Sequence, residues 1–135
     1  MNDFNHAIIR EFRANDGRLS GQFEGAPMLL LHSTGAKSGQ ERINPMMYQA
    51  VGEKWAVFAS KAGAPTNPDW YHNVVANPGA TIEVGTETKA VRARVATGDE
   101  RDAIWTTQKD RYPGFADYER QTDREIPVVI LEPTE

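Results

Sequence analysis

The sequence predicts an α+β fold in which about six mainly antiparallel strands, flanked by short helices, close or half close into a barrel. Three observations carry this. Residues 27–33, 43–51 and 54–60 are strand-like and follow one another with no helical segment between them, which disfavours a doubly wound parallel sheet. Residues 81–84 and 90–95 alternate apolar and polar around Gly85-Thr86, the pattern of a hairpin with one wet face. Residues 126–131 form a last, nearly all-apolar strand.

From the N-terminus, Phe4, Ile8, Ile9 and Phe12 recur at helical spacing after Asp3 as a cap, and Asn15-Asp16-Gly17 ends the pattern. The apolar face is narrow, which suits a helix covering one end of a barrel better than a membrane-surface helix or a substrate lid. Residues 17–26 read as a polar, glycine-bearing loop, and Gly52-Glu53 joins the second and third strands into a meander. Residues 61–68 form a loop that ends in Asn67-Pro68, a cap with proline at the first helical position. The helix it opens runs through Trp70, Tyr71, Val74 and Val75 and stops near Asn77-Pro78-Gly79. In the hairpin, Arg92 and Arg94 share the wet face, solvated or paired with Glu83. Thr97 and Glu100 have capping-box spacing and start a helix through Ile104 and Trp105 to Arg111. Tyr112-Pro113-Gly114-Phe115-Ala116-Asp117-Tyr118 then reads as an aromatic-rich turn. Trp55 and Trp105 are expected in the core. Without repeats or low-complexity linkers, residues 1–135 read as one domain, of which 1–26 are the N-terminal helix and loop.

The chain has no cysteine, which removes disulfides, thiolate metal sites and thiol nucleophiles and fits a reducing, cytoplasmic setting. The start lacks the regions of a secretory signal, and no apolar run approaches the ~18 residues of a membrane span. The net charge of −4 argues against general nucleic-acid binding, which needs a basic face. The charge is uneven: residues 32–61 hold Lys37, Arg42, Lys54 and Lys61 against Glu41 and Glu53, a local +2 that leaves −6 elsewhere. A small anion site in an acidic protein accounts for that asymmetry.

The candidate anion site is Ser33-Thr34-Gly35-Ala36-Lys37-Ser38-Gly39-Gln40-Glu41-Arg42. Two glycines allow several N–H groups to turn toward one anion, Ser33, Thr34 and Ser38 add donors, and Lys37 and Arg42 bring charge. The alternative is a polar hairpin turn with Lys37 solvated. A nucleotide P-loop is excluded, because Ala36 stands directly before Lys37 where that motif needs glycine. His6, His32 and His72 are scattered, so no metal site is expected. Ser60, His72 and Asp69 make a triad only nominally, because Gly-x-Ser-x-Gly is absent. The remaining groups, Ser60, Trp70, Tyr71, Tyr112, Phe115 and Tyr118, suit a flat conjugated ligand with phenolic donors at its rim.

Six stretches together carry a resemblance: 34–45, Ala59-Ser60-Lys61-Ala62-Gly63-Ala64, Asn67-Pro68-Asp69-Trp70-Tyr71-His72-Asn73, Ala76-Asn77-Pro78, 112–118 and Thr122-Asp123-Arg124-Glu125-Ile126-Pro127-Val128. In their order and spacing the chain resembles, over nearly all of residues 27–133, the deazaflavin-dependent nitroreductase family. The resemblance implies a split β-barrel and hydride transfer from reduced coenzyme F420 to a quinone, nitro compound or activated enone. It implies that Lys37 and Arg42 hold the coenzyme phosphate, with Ser38, Gly39, Asn44 and Pro45 in the same cofactor-binding stretch. Ala59, Ser60 and Lys61 would lie along the deazaflavin, with Trp70 and Tyr71 near it. Substrate contacts would fall to Ser60, Tyr112, Phe115 and Tyr118. Ser60, Tyr112 and Tyr118 are the candidate catalytic donors, and Tyr112 is favoured because Pro113 and Gly114 can fix its backbone. Two departures stand out: Ala36 replaces an arginine usual in the family, and Phe115 replaces a tyrosine common there. A quinone acceptor would favour loose contact of the first helix with the inner face of a membrane. The other readings are an FMN-binding split-barrel oxidoreductase and a non-catalytic deazaflavin carrier; oligomeric state is left open.

Overall fold

Met28, Leu29, Leu30 and Leu31 are all buried because their strand is covered on both faces. Leu29 and Leu31 join the cluster inside a barrel, while Met28 and Leu30 pack with Ile8, Ile9 and Phe12 of a helix outside it. A computed structural model of the chain describes residues 3–134; the side chains of residues 3–5 and Gln22 lie outside the description, so the expected roles of the Asp3 and Phe4 side chains do too.

The order is α1 (Asp3–Ala14), β1 (Met28–Thr34), β2 (Glu41–Val51), β3 (Lys54–Phe58), α2 (Asp69–Ala76), β4 (Gly79–Val84), β5 (Glu87–Val95), α3 (Gly98–Arg111), α4 (Gly114–Arg120) and β6 (Val128–Pro133). The strands close into an antiparallel barrel in the order β1-β2-β3-β6-β5-β4, with β1 returning to pair with β4. The same division of faces holds in β6: Val129 and Leu131 enter the barrel cluster, and Val128 and Ile130 pack with Ile104, Trp105 and Phe115 of the C-terminal helices. Trp105 is in that core, and Trp55 is half-buried against the barrel cluster. The first helix covers the barrel as expected. Its loop passes so close to the β4–β5 turn that a Cβ on Gly17 would lie 2.8 Å from Gly85 Cα.

Several local expectations are corrected. Asn67 does not cap α2; the helix begins at Asp69 after Pro68, and Asn67 accepts a hydrogen bond from Arg124 instead. Trp70 and Val74 of α2 are buried, whereas Val75 is 54% exposed. Thr97 precedes α3 but makes no side-chain cap, and Glu100, the other half of the expected capping box, is held instead by Arg94 at 2.6 and 2.9 Å. Arg94 pairs with Glu100 and Glu132 rather than Glu83, whose carboxylate is held by Arg13. The aromatic turn is largely helical: α4 follows Tyr112 and Pro113 directly. The two expected loops contain 3-10 turns at Gly21–Phe23 and Lys61–Gly63.

Candidate active site

The barrel is incomplete along one strand. Residues 41–47 of β2 pair with β1 alone, and pairing with β3 starts only at Tyr48. Pro45, which has no N–H to give, sits in this half-paired stretch, where proline is tolerated. Two cavities share the opening. One, of about 930 Å³, is lined by the turn 35–38, Arg42, Asn44 and α2 residues Asp69, His72 and Asn73. The other, of about 270 Å³, takes up at Pro45 and Met46 and is bounded by Ser60, Lys61, Trp70, Phe115 and Tyr118. Asn44 and Pro45 on β2, and Asp69 and Trp70 on α2, are consecutive residues that divide between the two, so the cavities adjoin along these elements and together make the candidate groove.

At the larger end, the turn satisfies much of its own backbone. Gly35 N donates to Gln40 O at 2.8 Å, Gly39 N to Gly35 O at 3.0 Å, and Gln40 N to Ser38 Oγ at 3.2 Å. Ala36 N donates to Asn73 Oδ1 at 2.9 Å, and Asn73 Nδ2 donates to Ser33 Oγ at 3.3 Å, which fastens the turn to α2. The expected cradle of N–H groups is therefore mostly spent within the protein, leaving anion binding to side chains. Lys37 and Arg42 are exposed, and among the described residues neither meets a carboxylate. Glu41, their neighbour, instead lies 3.3 Å from His32 Nδ1. His32 Nε2 is 2.5 Å from Glu83, whose pKa is lowered first by its hydrogen bond from Arg13 and also by His32.

The smaller end is built on a strained turn. Ser60 is right-handed (φ −77°), but Lys61 and Ala62 have φ of 46° and 52°, left-handed values disfavoured for residues with a Cβ. Gly63 at φ +80° is required: a Cβ there would sit 2.9 Å from Gln121 Cβ and 3.1 Å from the Tyr118 carbonyl. This turn thus packs directly on the end of α4, which carries the aromatic wall. Phe115 makes edge contacts with Phe58, Trp105 and Tyr118 at 5.5–6.1 Å between ring centres. Glu119 anchors α4 to α3 by accepting from Trp105 Nε1 at 2.5 Å and Lys109 at 3.1 Å, and the Trp105 hydrogen bond is the main reason its pKa is lowered. Ser60 is buried and Tyr118 half-buried, and among the described residues neither hydroxyl has a hydrogen-bond partner.

Of the residues singled out in the sequence, Lys37, Ser38, Arg42 and Asn44 line the larger end, and Pro45, Ser60, Lys61, Trp70, Phe115 and Tyr118 the smaller. Gly39 shapes the turn at φ +70° without lining it. Ala59 is fully buried behind Ser60. Tyr71 packs against the barrel cluster and the His72 ring. Tyr112, the favoured donor, lines neither cavity; it packs in the cluster beneath α3 and α4. Sequence reasoning assigned no role to Asn73 or Arg124, though both lie in the stretches that carry the resemblance. Their signal was a polar side chain beside an aromatic or apolar run, which says nothing of its partner until the chain folds.

The model of the F420H(2)-dependent quinone reductase family matches residues 6–133. The F420H(2)-dependent quinone reductase Rv1261c of Mycobacterium tuberculosis is 37% identical over 124 residues, covering 89% of this chain and 83% of that protein. A solved F420-H2 dependent reductase (FDR-A) superposes with TM-score 0.72 at 42% identity, covering 78% of this chain and 94% of its own. A structure described as a domain-swapped dimer superposes with TM-score 0.74 at 36% identity, over 96% of both chains.

Proposed function

This chain belongs to the F420H(2)-dependent quinone reductase family, an oxidoreductase group with the split-barrel fold, and we propose that the groove along the half-paired stretch of β2 is where it transfers hydride from reduced F420 to a quinone. One observation supports the placement above others: a cavity lined by Lys37 and Arg42, which no carboxylate pairs among the described residues, and a cavity walled by aromatic and apolar side chains adjoin along β2 and α2. That is the pattern a ligand with an anionic arm and a flat conjugated head requires. The residues therefore fit the coenzyme. Lys37 and Arg42 would hold its phosphate, and Pro45, Ser60, Lys61 and Trp70 its ring. When bound, the reduced deazaflavin supplies a hydride, carbon standing where a flavin has its central nitrogen.

The chain's own tasks are alignment, exclusion of water and stabilisation of charge. Trp70, Phe115 and Met46 give the quinone and the ring a dry, flat seat. The unpartnered hydroxyls of Ser60 and Tyr118 are placed to donate to the oxygen on which negative charge develops as the quinone is reduced. Phe115 adds no hydroxyl and leaves that wall apolar. The apolar residues Ile8, Ile9 and Phe12 of α1 are taken up by the barrel, so the reading assigns the helix to covering the fold rather than to a lipid surface. Among the described residues no helix is long and apolar enough to cross a membrane.

Fluorescence titration with F420 and, separately, with FMN tests the proposal. F420 is expected to bind at least about tenfold more tightly, or ~1.4 kcal/mol, and the reduced coenzyme to be oxidised by a soluble quinone. Equal affinities, or binding without turnover, would remove the reductase reading of the groove.

A further inference from the structure

Arg124 stands between α4 and β6, outside the groove, yet its side chain gathers the turn that forms the groove's smaller end. Nε donates to the Ala64 carbonyl at 3.0 Å, Nη1 to the Ala59 carbonyl at 3.1 Å and to Asn67 Oδ1 at 2.6 Å, and Nη2 to the Ser60 carbonyl at 2.9 Å. Every partner is a neutral oxygen. Burial without a carboxylate lowers the pKa of this guanidinium, so the fold keeps a charge there at some cost. Only a rigid planar fork can address carbonyls on both sides of a turn at once; a lysine offers a single point.

The turn so held is the strained one, with Ser60 right-handed and Lys61 and Ala62 left-handed. With the Ala59 and Ser60 carbonyls drawn to Arg124, the peptide N–H groups of Ser60, Lys61 and Ala62 find no acceptor among the described residues. A right-handed residue followed by a left-handed one brings successive N–H groups to one concave side. All three residues line the smaller cavity. We propose that Arg124 is a positioning residue for hydride transfer: it locks residues 59–64 in the shape that sets the Ser60 hydroxyl and these peptide N–H groups against the ring and the reacting oxygen. The inference rests on the placement of the ring given above.

Arg124→Gln and Arg124→Lys are compared with the wild type in three measurements. In the coenzyme-free protein, amide hydrogen exchange at residues 60–64 is expected to accelerate at least about tenfold, with the barrel strands unchanged. F420 affinity should fall by a smaller factor than turnover, since Lys37 and Arg42 are untouched, while turnover per folded molecule at saturating coenzyme falls at least about tenfold at nearly constant Michaelis constant for the quinone. Arg124→Lys should recover only part of either loss. Unchanged exchange at 60–64, or unchanged turnover per folded molecule, overturns the role of Arg124. Should Arg124→Gln not fold, Asn67→Ala deletes one of the acceptors and is expected to give the same pattern at about two- to threefold; no change there is equally fatal. A wild type that fails to bind F420 overturns the reading of the groove, and the exchange result in the coenzyme-free protein is read independently of it.

Discussion

Under the proposed function Lys37 and Arg42 would hold the anion by their side chains, because residues 35–40 consume the N–H groups of Gly35, Ala36, Gly39 and Gln40 internally. Changing either to alanine should weaken F420 binding by about 1.5–3 kcal/mol, the scale of hydrogen bonds to charged groups. Added salt should weaken the wild type more than either variant, since the lost contacts are the screened ones. Titration at two ionic strengths checks both, and unchanged affinity in both variants would return the turn to a solvated hairpin. The hydroxyls make a separate test. Ser60→Ala and Tyr118→Phe keep the packing and remove a donor, so turnover should fall with little change in Michaelis constant. Tyr112→Phe, outside both cavities, should leave turnover as it is. Steady-state kinetics with a soluble quinone separates these outcomes, and equal rates in all three variants would reduce catalysis here to alignment.

The element on which the smaller end depends is the pair formed by the 60–64 turn and α4. Gly63 lets them touch, both by its positive φ and by the missing Cβ next to Gln121 and the Tyr118 carbonyl. Gly63→Ala should therefore cost at least about 1–2 kcal/mol in urea denaturation, the penalty of a left-handed residue with a Cβ, before any displacement of α4 is counted. Gly39 has a similar φ of +70° but open space around it, so Gly39→Ala should cost the backbone penalty alone. A larger loss at Gly39 than at Gly63 would contradict this account. β1 offers the contrast in packing: Leu30, fully buried between barrel and α1, should lose about 2–5 kcal/mol on change to alanine.

Across the whole molecule, α1 is tied to the barrel wall by Arg13, which donates to Glu83 at 3.0 and 2.7 Å, with His32 and Glu41 continuing the chain of side-chain contacts. The Glu83 carboxyl is held below its ordinary value of 4.5, chiefly by Arg13. A depressed carboxyl stabilises the fold above its unfolded pKa, and that contribution drains away as pH falls through the lower folded value. Stability should thus decline on acidification below about pH 4.5, and Glu83→Gln should show a lower plateau at neutral pH with a shallower acid slope. Denaturation curves across that range decide it; parallel slopes in wild type and variant would place the acid sensitivity elsewhere.

Much of this protein is legible in its sequence because much of it is local. The period-two hairpin, the helical spacing of Ile8, Ile9 and Phe12, and the uninterrupted apolar runs of β1 and β6 name their elements and even the number of buried faces, since side-chain direction follows backbone period. The cationic stretch 37–42 and the aromatic stretch 112–118 stand out by residue type as site candidates, but a solvated hairpin turn fits the first as well, and only the resemblance joins the two into one site. What folding decided was which polar group meets which. Glu100 has the spacing of a cap yet serves Arg94, Asn67 has the position of a cap yet serves Arg124, and Tyr112, beside Pro113 and Gly114, is packed away while Tyr118 on α4 lines the smaller cavity. Capping is worth about 1 kcal/mol, and a charge-assisted partner across the fold outbids it. These partners are 6 and 57 residues apart in the chain, and no local pattern records a distance that exists only after the strands have closed into the barrel.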